Sequence, residues 1–155
     1  NGGYKILDTK LKTVFSNNIR NNFGFLNQAE NSDLFSADKL FIQEGKKVFK
    51  QVIPMVSSLV EEHLKETKIS IKKVNRFWLH QANLSMNQLI AKRLLGREPN
   101  QEEMPIVLNE YANTSSAGSI IAFHKYNKDL NTGDIGVICS FGAGYSVASI
   151  IVQKI

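Results

Sequence analysis

A layered α/β fold around a mixed, five-stranded sheet is what the sequence predicts, and three observations carry that expectation. Short apolar runs rich in β-branched residues alternate with longer stretches of helical periodicity. The chain closes on IGVICSFGAGYSVASIIVQKI, two apolar strands with only FGAG between them, and a pair joined so tightly must run antiparallel. With 155 residues and 43% hydrophobic content, there is material for one sizeable core without disulfide support.

The elements follow in chain order. TKLKTVFS alternates enough for a strand, and NNIRNNFGFLNQAENSD, rich in Asn, reads as a loop, so residues 1–35 form an irregular first segment. KLFIQ is a short strand. In EGKKVFKQVIPMVSSLVEEHLKE, the residues Val48, Phe49, Val52, Ile53, Met55, Val56, Leu59, Val60 and Leu64 mark a broad helical stripe, and Pro54 inside it predicts a kink or a break. Arg76 to Leu79 is a brief strand, and NLSMNQLIAKRLLG a helix that Gly96 ends. REPNQEEMP is a surface connection, IVLNEY a further strand, and NTSSAGSIIAFHKYNKDL a helix with Asn, Thr and Ser at its opening. NTGD is a turn before the final pair.

Composition narrows the function classes. A single cysteine excludes an internal disulfide, the Cys and His spacing offers no metal site, and such usage fits a reducing cytoplasm. No apolar stretch reaches about 18 residues, and NGGYKILDTK is no charged-then-apolar leader, so a soluble protein without a membrane span is expected. The net charge of +5 is spread along the chain without interleaved aromatics, which argues against a nucleic-acid partner.

Two polar stops stand out. HQAN ends the strand before one helix and YANTSS precedes another, so His80 and Asn113 are expected at strand ends facing one crevice, where open α/β sheets collect ligands. A neutral histidine offers one N–H and an asparagine two. Together they suit an anionic oxygen forming on a thioester carbonyl. Spacing alone leaves the ordinary alternatives open: a satisfied histidine and a helix cap. FGAG is either a hairpin turn or a close backbone approach to a ligand; no helix opens from it, so it is no phosphate-binding loop.

HQAN, YANTSSAGS and SFGAGYSVASIIVQ, in that order and spacing, resemble the carboxy-terminal half of a β-ketoacyl-acyl-carrier-protein synthase III, a member of the thiolase-like family. The resemblance covers residues 36–155 well, including EGKKVFK at the start of the long helix, and residues 1–35 loosely. It implies a thiolase-like half-domain and an acyltransferase of fatty acid biosynthesis that performs a decarboxylative Claisen condensation with a Cys, His, Asn triad. His80 and Asn113 would be the oxyanion donors for the malonyl thioester. The nucleophile belongs to the amino-terminal half, so this chain alone is expected to be inactive. Cys139, in an apolar strand, corresponds to a small core residue.

Further roles are implied by the same resemblance. The Ala143 N–H would serve the acyl-thioester oxyanion, Asn83 would touch the pantetheine arm, Gly45 would line its tunnel and Phe49 would sit near the mouth. A basic residue that often follows HQAN by two positions is Ser85 here, which leaves Lys46, Lys47 and Lys50 to dock an acidic acyl carrier protein. The implied substrates are acyl-CoA and malonyl-carrier protein, thioesters of CoA or phosphopantetheine, with no cofactor or metal. The implied partners are the missing amino-terminal half and a second copy in a homodimer. The half is expected to dock on the helix opening at Asn113, where Ser116, Ala117 and Ser119 permit close approach and Ile120, Ile121 and Phe123 supply apolar area. A non-catalytic partner subunit or docking module of a split ketosynthase is the alternative.

Overall fold

A computed structural model describes residues 3–21, 36 and 39–155. The loop expected at 17–33 lies, beyond Asn21, outside the described residues. In chain order the elements are β1 (Tyr4–Ser16), β2 (Ile19–Asn21), β3 (Phe41–Gln43), α1 (Gly45–Glu66), β4 (Val74–Leu79), α2 (Leu84–Leu95), α3 (Leu108–Tyr111), α4 (Ala117–Lys125), β5 (Ile135–Gly142) and β6 (Gly144–Lys154).

β4, β5, β6 and β1 form one mixed sheet in the order β1-β6-β5-β4. β4 lies parallel to β5, with Leu79 opposite Cys139, and β5 turns back antiparallel into β6 as the short FGAG link requires. Period-two alternation then sends successive side chains to opposite faces. Phe77, Leu79, Val137, Cys139, Val147 and Ile151 join a core with Val52, Val56, Leu59 and Val60 of α1 and Ile90 and Leu94 of α2. Trp78, Ile138 and Val152 face the other way, onto Val107 and Ala122 of α4. Gly136 is required here: a Cβ on it would lie 2.1 Å from the Trp78 ring.

The long helix is continuous. α1 runs unbroken through Pro54 for 22 residues, so the break that proline predicts does not occur. Val48, Val52, Ile53, Val56, Leu59, Val60 and Leu64 of the expected stripe are buried, while Phe49 and Met55 at its margin are only half-buried. α2 is capped by Asn83, whose Oδ1 accepts the Met86 N–H at 2.8 Å, and it ends at Gly96 with φ 69°.

Two expectations need correction. The main sheet has four strands rather than five; β2 and β3 pair apart as a two-stranded ribbon. IVLNEY is not a strand: its backbone is irregular up to Val107, and α3 follows. The cause is where its polar groups go. Pro105 has no N–H for a ladder, and the Val107 N–H donates to the buried Gln81 Oε1 at 3.0 Å. The buried Val107 side chain fills the Trp78 core meanwhile.

The α4 face of the sheet is only partly covered. Phe123 turns inward onto Trp78, ring centroids 4.9 Å apart, and Ile121 packs against the same core. Of the three apolar residues expected to point outward, Ile120 alone does so, at 52% exposure. Further along that face, Ile6 and Leu11 of β1 stand opposite Val152 and Ala148 and are 61% and 72% exposed. Among the described residues no helix is long and apolar enough to cross a membrane.

Candidate active site

A cleft of about 350 Å³ opens where β4 and β5 deliver their carboxyl ends. His80, Asn83, Asn113 and Ala143 all line it, joined by Ser115, Phe141 and Gly142. Residues from three separate segments of the chain, each singled out for its chemistry, thus share one concavity. The opposite wall comes from the β2–β3 ribbon through Ile19, Phe41 and Gln43 and from α1 through Val48.

His80 is placed by strand pairing. Its backbone N–H donates to the Cys139 carbonyl at 2.7 Å, prolonging the β4–β5 ladder by one residue, and its ring lies against Phe141 with centroids 4.3 Å apart. The side chain is buried, and Nδ1 has no hydrogen-bond partner among the described residues. Burial without an opposing carboxylate penalises the charged ring, so its pKa is pushed down to about 4. At neutral pH this imidazole carries one proton and no charge.

Asn113 is not at a strand end as expected: it lies in irregular backbone between α3 and α4, and α4 begins at Ala117 and not at Asn113 itself. Its Oδ1 accepts the Ser115 N–H at 3.0 Å, so the amide N–H groups are its unengaged donors. The residues on either side are strained. Ala112 has φ 53° and ψ −155°, and Ser115 has φ 58°, conformations that side chains other than glycine rarely adopt.

Gln81 joins the two halves of this site, and sequence reasoning passed over it. It is fully buried, donates through Nε2 to the Leu79 carbonyl at 2.9 Å, and receives the Val107 N–H that starts the connection toward Asn113. Gly118 makes room for it: a Cβ there would lie 2.8 Å from Gln81 Cβ, so α4 approaches HQAN closely only because residue 118 is glycine. The available signal was an uncharged polar residue directly after an apolar strand, where the backbone needs a partner.

The remaining expected residues fall as follows. Ala143 is exposed in the turn between β5 and β6 at the cleft. Asn83 lines the cleft with its oxygen engaged in the α2 cap. From the opening of α1 it is Val48 that reaches the cleft; Gly45 begins the helix facing open space, and Phe49 is half-buried against the main core. Lys46, Lys47 and Lys50 are exposed on the first turns of α1, with Lys47 paired to Glu44 at 2.5 Å. Cys139 is fully buried, and burial pushes its thiol up to about 12, which makes it an inert core residue. Among the described residues no cluster of three or more His, Cys, Asp or Glu is placed to hold a metal ion.

The fold is that of the carboxy-terminal half of a thiolase-like protein. The comparisons agree. Residues 64–154 match the family model described as 3-oxoacyl-[acyl-carrier-protein (ACP)] synthase III C terminal, and the chain belongs to that family. It is 59% identical over 151 residues to the β-ketodecanoyl-[acyl-carrier-protein] synthase of Pseudomonas aeruginosa, covering 97% of this chain and 43% of that protein. A β-ketoacyl-[acyl-carrier-protein] synthase III of Ehrlichia ruminantium is 38% identical over 102 residues, 64% of this chain and 31% of that protein. Among solved structures, the 3-oxoacyl-[acyl-carrier-protein] synthase III of Aquifex aeolicus superposes with a TM-score of 0.78 at 19% identity, over 97% of this chain and 44% of that one. The chain therefore spans less than half the length of these relatives.

Proposed function

We propose that this chain is the carboxy-terminal catalytic half of a β-ketoacyl-acyl-carrier-protein synthase III-type acyltransferase, acting in the cytoplasm on acyl and malonyl thioesters. The observation that carries the reading is the meeting of His80, Asn113 and Ala143 in one cleft. A malonyl thioester bound there loses carbon dioxide, and the electron pair of the broken C–C bond passes onto the thioester oxygen as an enolate. A neutral His80 donates one N–H to that oxygen, and Asn113 donates a second through Nδ2. Neither donor needs to reorganise when the charge forms, which is the condition for stabilising it. The enolate carbon then attacks the acyl thioester on a cysteine of the amino-terminal half. The new C–C bond places charge on the acyl oxygen, where the Ala143 N–H donates. Collapse expels the cysteine thiolate, which takes up a proton, and releases the 3-oxoacyl thioester.

The remaining assignments follow from this reading. The amino-terminal half covers the α4 face, where a groove of about 300 Å³ is lined by Ser116, Ala117, Ser119 and Ile120 with Ile138, Ala148 and Ile150. Lys46, Lys47 and Lys50 meet an acidic carrier protein, Asn83 offers its amide N–H groups to the pantetheine arm, Gly45 and Phe49 flank the entrance, and the complete enzyme is a homodimer. The test is condensation by the complete enzyme, read as 3-oxoacyl product by mass spectrometry. His80→Ala lowers the rate by about 10²–10³, the size expected for losing one oxyanion donor. Undiminished condensation in that variant would leave the non-catalytic docking role as the better account.

A further inference from the structure

The ribbon wall of the cleft contains one residue that the chemistry above does not use. Gln43 ends β3, lies directly opposite Ile19 of β2, and both side chains line the cleft. The lining it shares is mixed: Ile19, Phe41, Val48, Met86 and Phe141 are apolar, and His80, Asn83, Asn113 and Ser115 are polar. The other two amides of the lining, Asn83 and Asn113, have their oxygens engaged by the N–H groups of Met86 and Ser115. The side chain of Gln43 makes no hydrogen bond to any described residue. It is exposed, so water satisfies it while the cleft is open. A substrate that enters the cleft displaces that water, and an amide left there without a partner costs affinity.

What removes the cost is a ligand group with the complementary pair, one donor and one acceptor. A thioester offers acceptors only. An amide offers both, and the arm of a CoA or phosphopantetheine thioester carries its first amide two methylenes from the sulfur. We infer that Gln43 is a positioning residue that hydrogen-bonds this amide of the malonyl substrate's arm, setting the thioester oxygen against His80 and Asn113. The inference rests on the function proposed above. Gln43 touches no reacting atom; it acts by discriminating thioesters that carry the amide from those that lack it.

The experiment compares two small malonyl substrates in the complete enzyme: the N-acetylcysteamine thioester, which keeps the amide, and the propyl thioester, which lacks it. Gln43→Met raises KM for the amide-bearing substrate about three- to tenfold, the worth of one hydrogen bond, with a smaller change in kcat. It leaves the propyl thioester unaffected. An equal loss on both substrates, or a loss on neither, overturns the assignment. His80→Ala run alongside separates the two claims. If it slows condensation of both substrates by about 10²–10³ while Gln43→Met is unselective, only the role of Gln43 falls; if condensation of both is undiminished, the proposed function falls and the role of Gln43 with it.

Discussion

The two faces of the sheet are finished to different degrees. On one, α1 and α2 cover the strands so fully that Val52, Leu59, Phe77, Val137 and Ile151 are wholly or nearly wholly buried. On the other, α4 covers Trp78 and Ile138 but leaves Ile6, Leu11 and Ile120 in solvent. The same strands supply both faces, so the difference lies in what is packed against them. A face that ends in small residues and exposed branched side chains, beside a sealed core, has the character of an interface. The cleft lies at the strand ends between the two.

This contrast is open to measurement. The largest effect is expected in the sealed core, where Leu59→Ala costs about 2–5 kcal/mol in denaturant unfolding because a cavity remains that the neighbours cannot fill. A loss below 1 kcal/mol there would mean that the face is loosely packed. Next comes pH. His80 is held neutral by burial, with its pKa at about 4 against an ordinary value of 6.5. The unfolded chain therefore binds more protons than the folded one between these values. Stability is complete above about pH 6.5 and falls as pH drops toward 4, by on the order of 3 kcal/mol. Burial lowers the His63 pKa as well, which adds in the same direction. A stability profile flat across that interval would contradict the buried, unpaired state of His80.

Smaller and opposite in sign is Ala112→Gly. Relief of a strained backbone worth about 1–3 kcal/mol outweighs the extra freedom of glycine in the unfolded chain, about 0.4–1 kcal/mol, so unfolding shifts upward by roughly 1 kcal/mol. A lower melting temperature would show that Ala112 is not strained. The smallest effect belongs to the open face. Ile120→Ser changes the stability of this chain by no more than about 0.5 kcal/mol yet, on the function proposed above, weakens association with an amino-terminal half, as read by sedimentation. A core-sized loss from Ile120→Ser would erase the distinction between the two faces.

Much of this was legible in the chain, for reasons that also explain the rest. Local signals carried well: the α1 stripe, the Gly96 stop, the FGAG hairpin, and the placing of His80 at a strand end, since each depends on neighbours a few residues away; Asn113 reaches the cleft from a loop instead. IVLNEY misled because β-branched residues favour a strand while the partner that captured Val107, the side chain of Gln81, lies 26 residues earlier. In SIIAFHKY, the choice of which apolar residues face outward depended on Trp78, which claims Phe123 from another element. The wall formed by Ile19, Phe41 and Gln43 was invisible for the same reason: a three-residue ribbon has no periodicity, and its place against the cleft is set by long-range packing.

The central claim is that His80 and Asn113 serve one oxygen. Its most direct test is a double-mutant cycle on malonyl decarboxylation in the complete enzyme, with His80→Ala, Asn113→Ala and the pair together. Two donors on the same developing charge act as a unit, so each single change lowers the rate by about 10²–10³ and the double falls far short of the product of the two. Costs that multiply in full, as they do for independent sites, would contradict a shared oxyanion site.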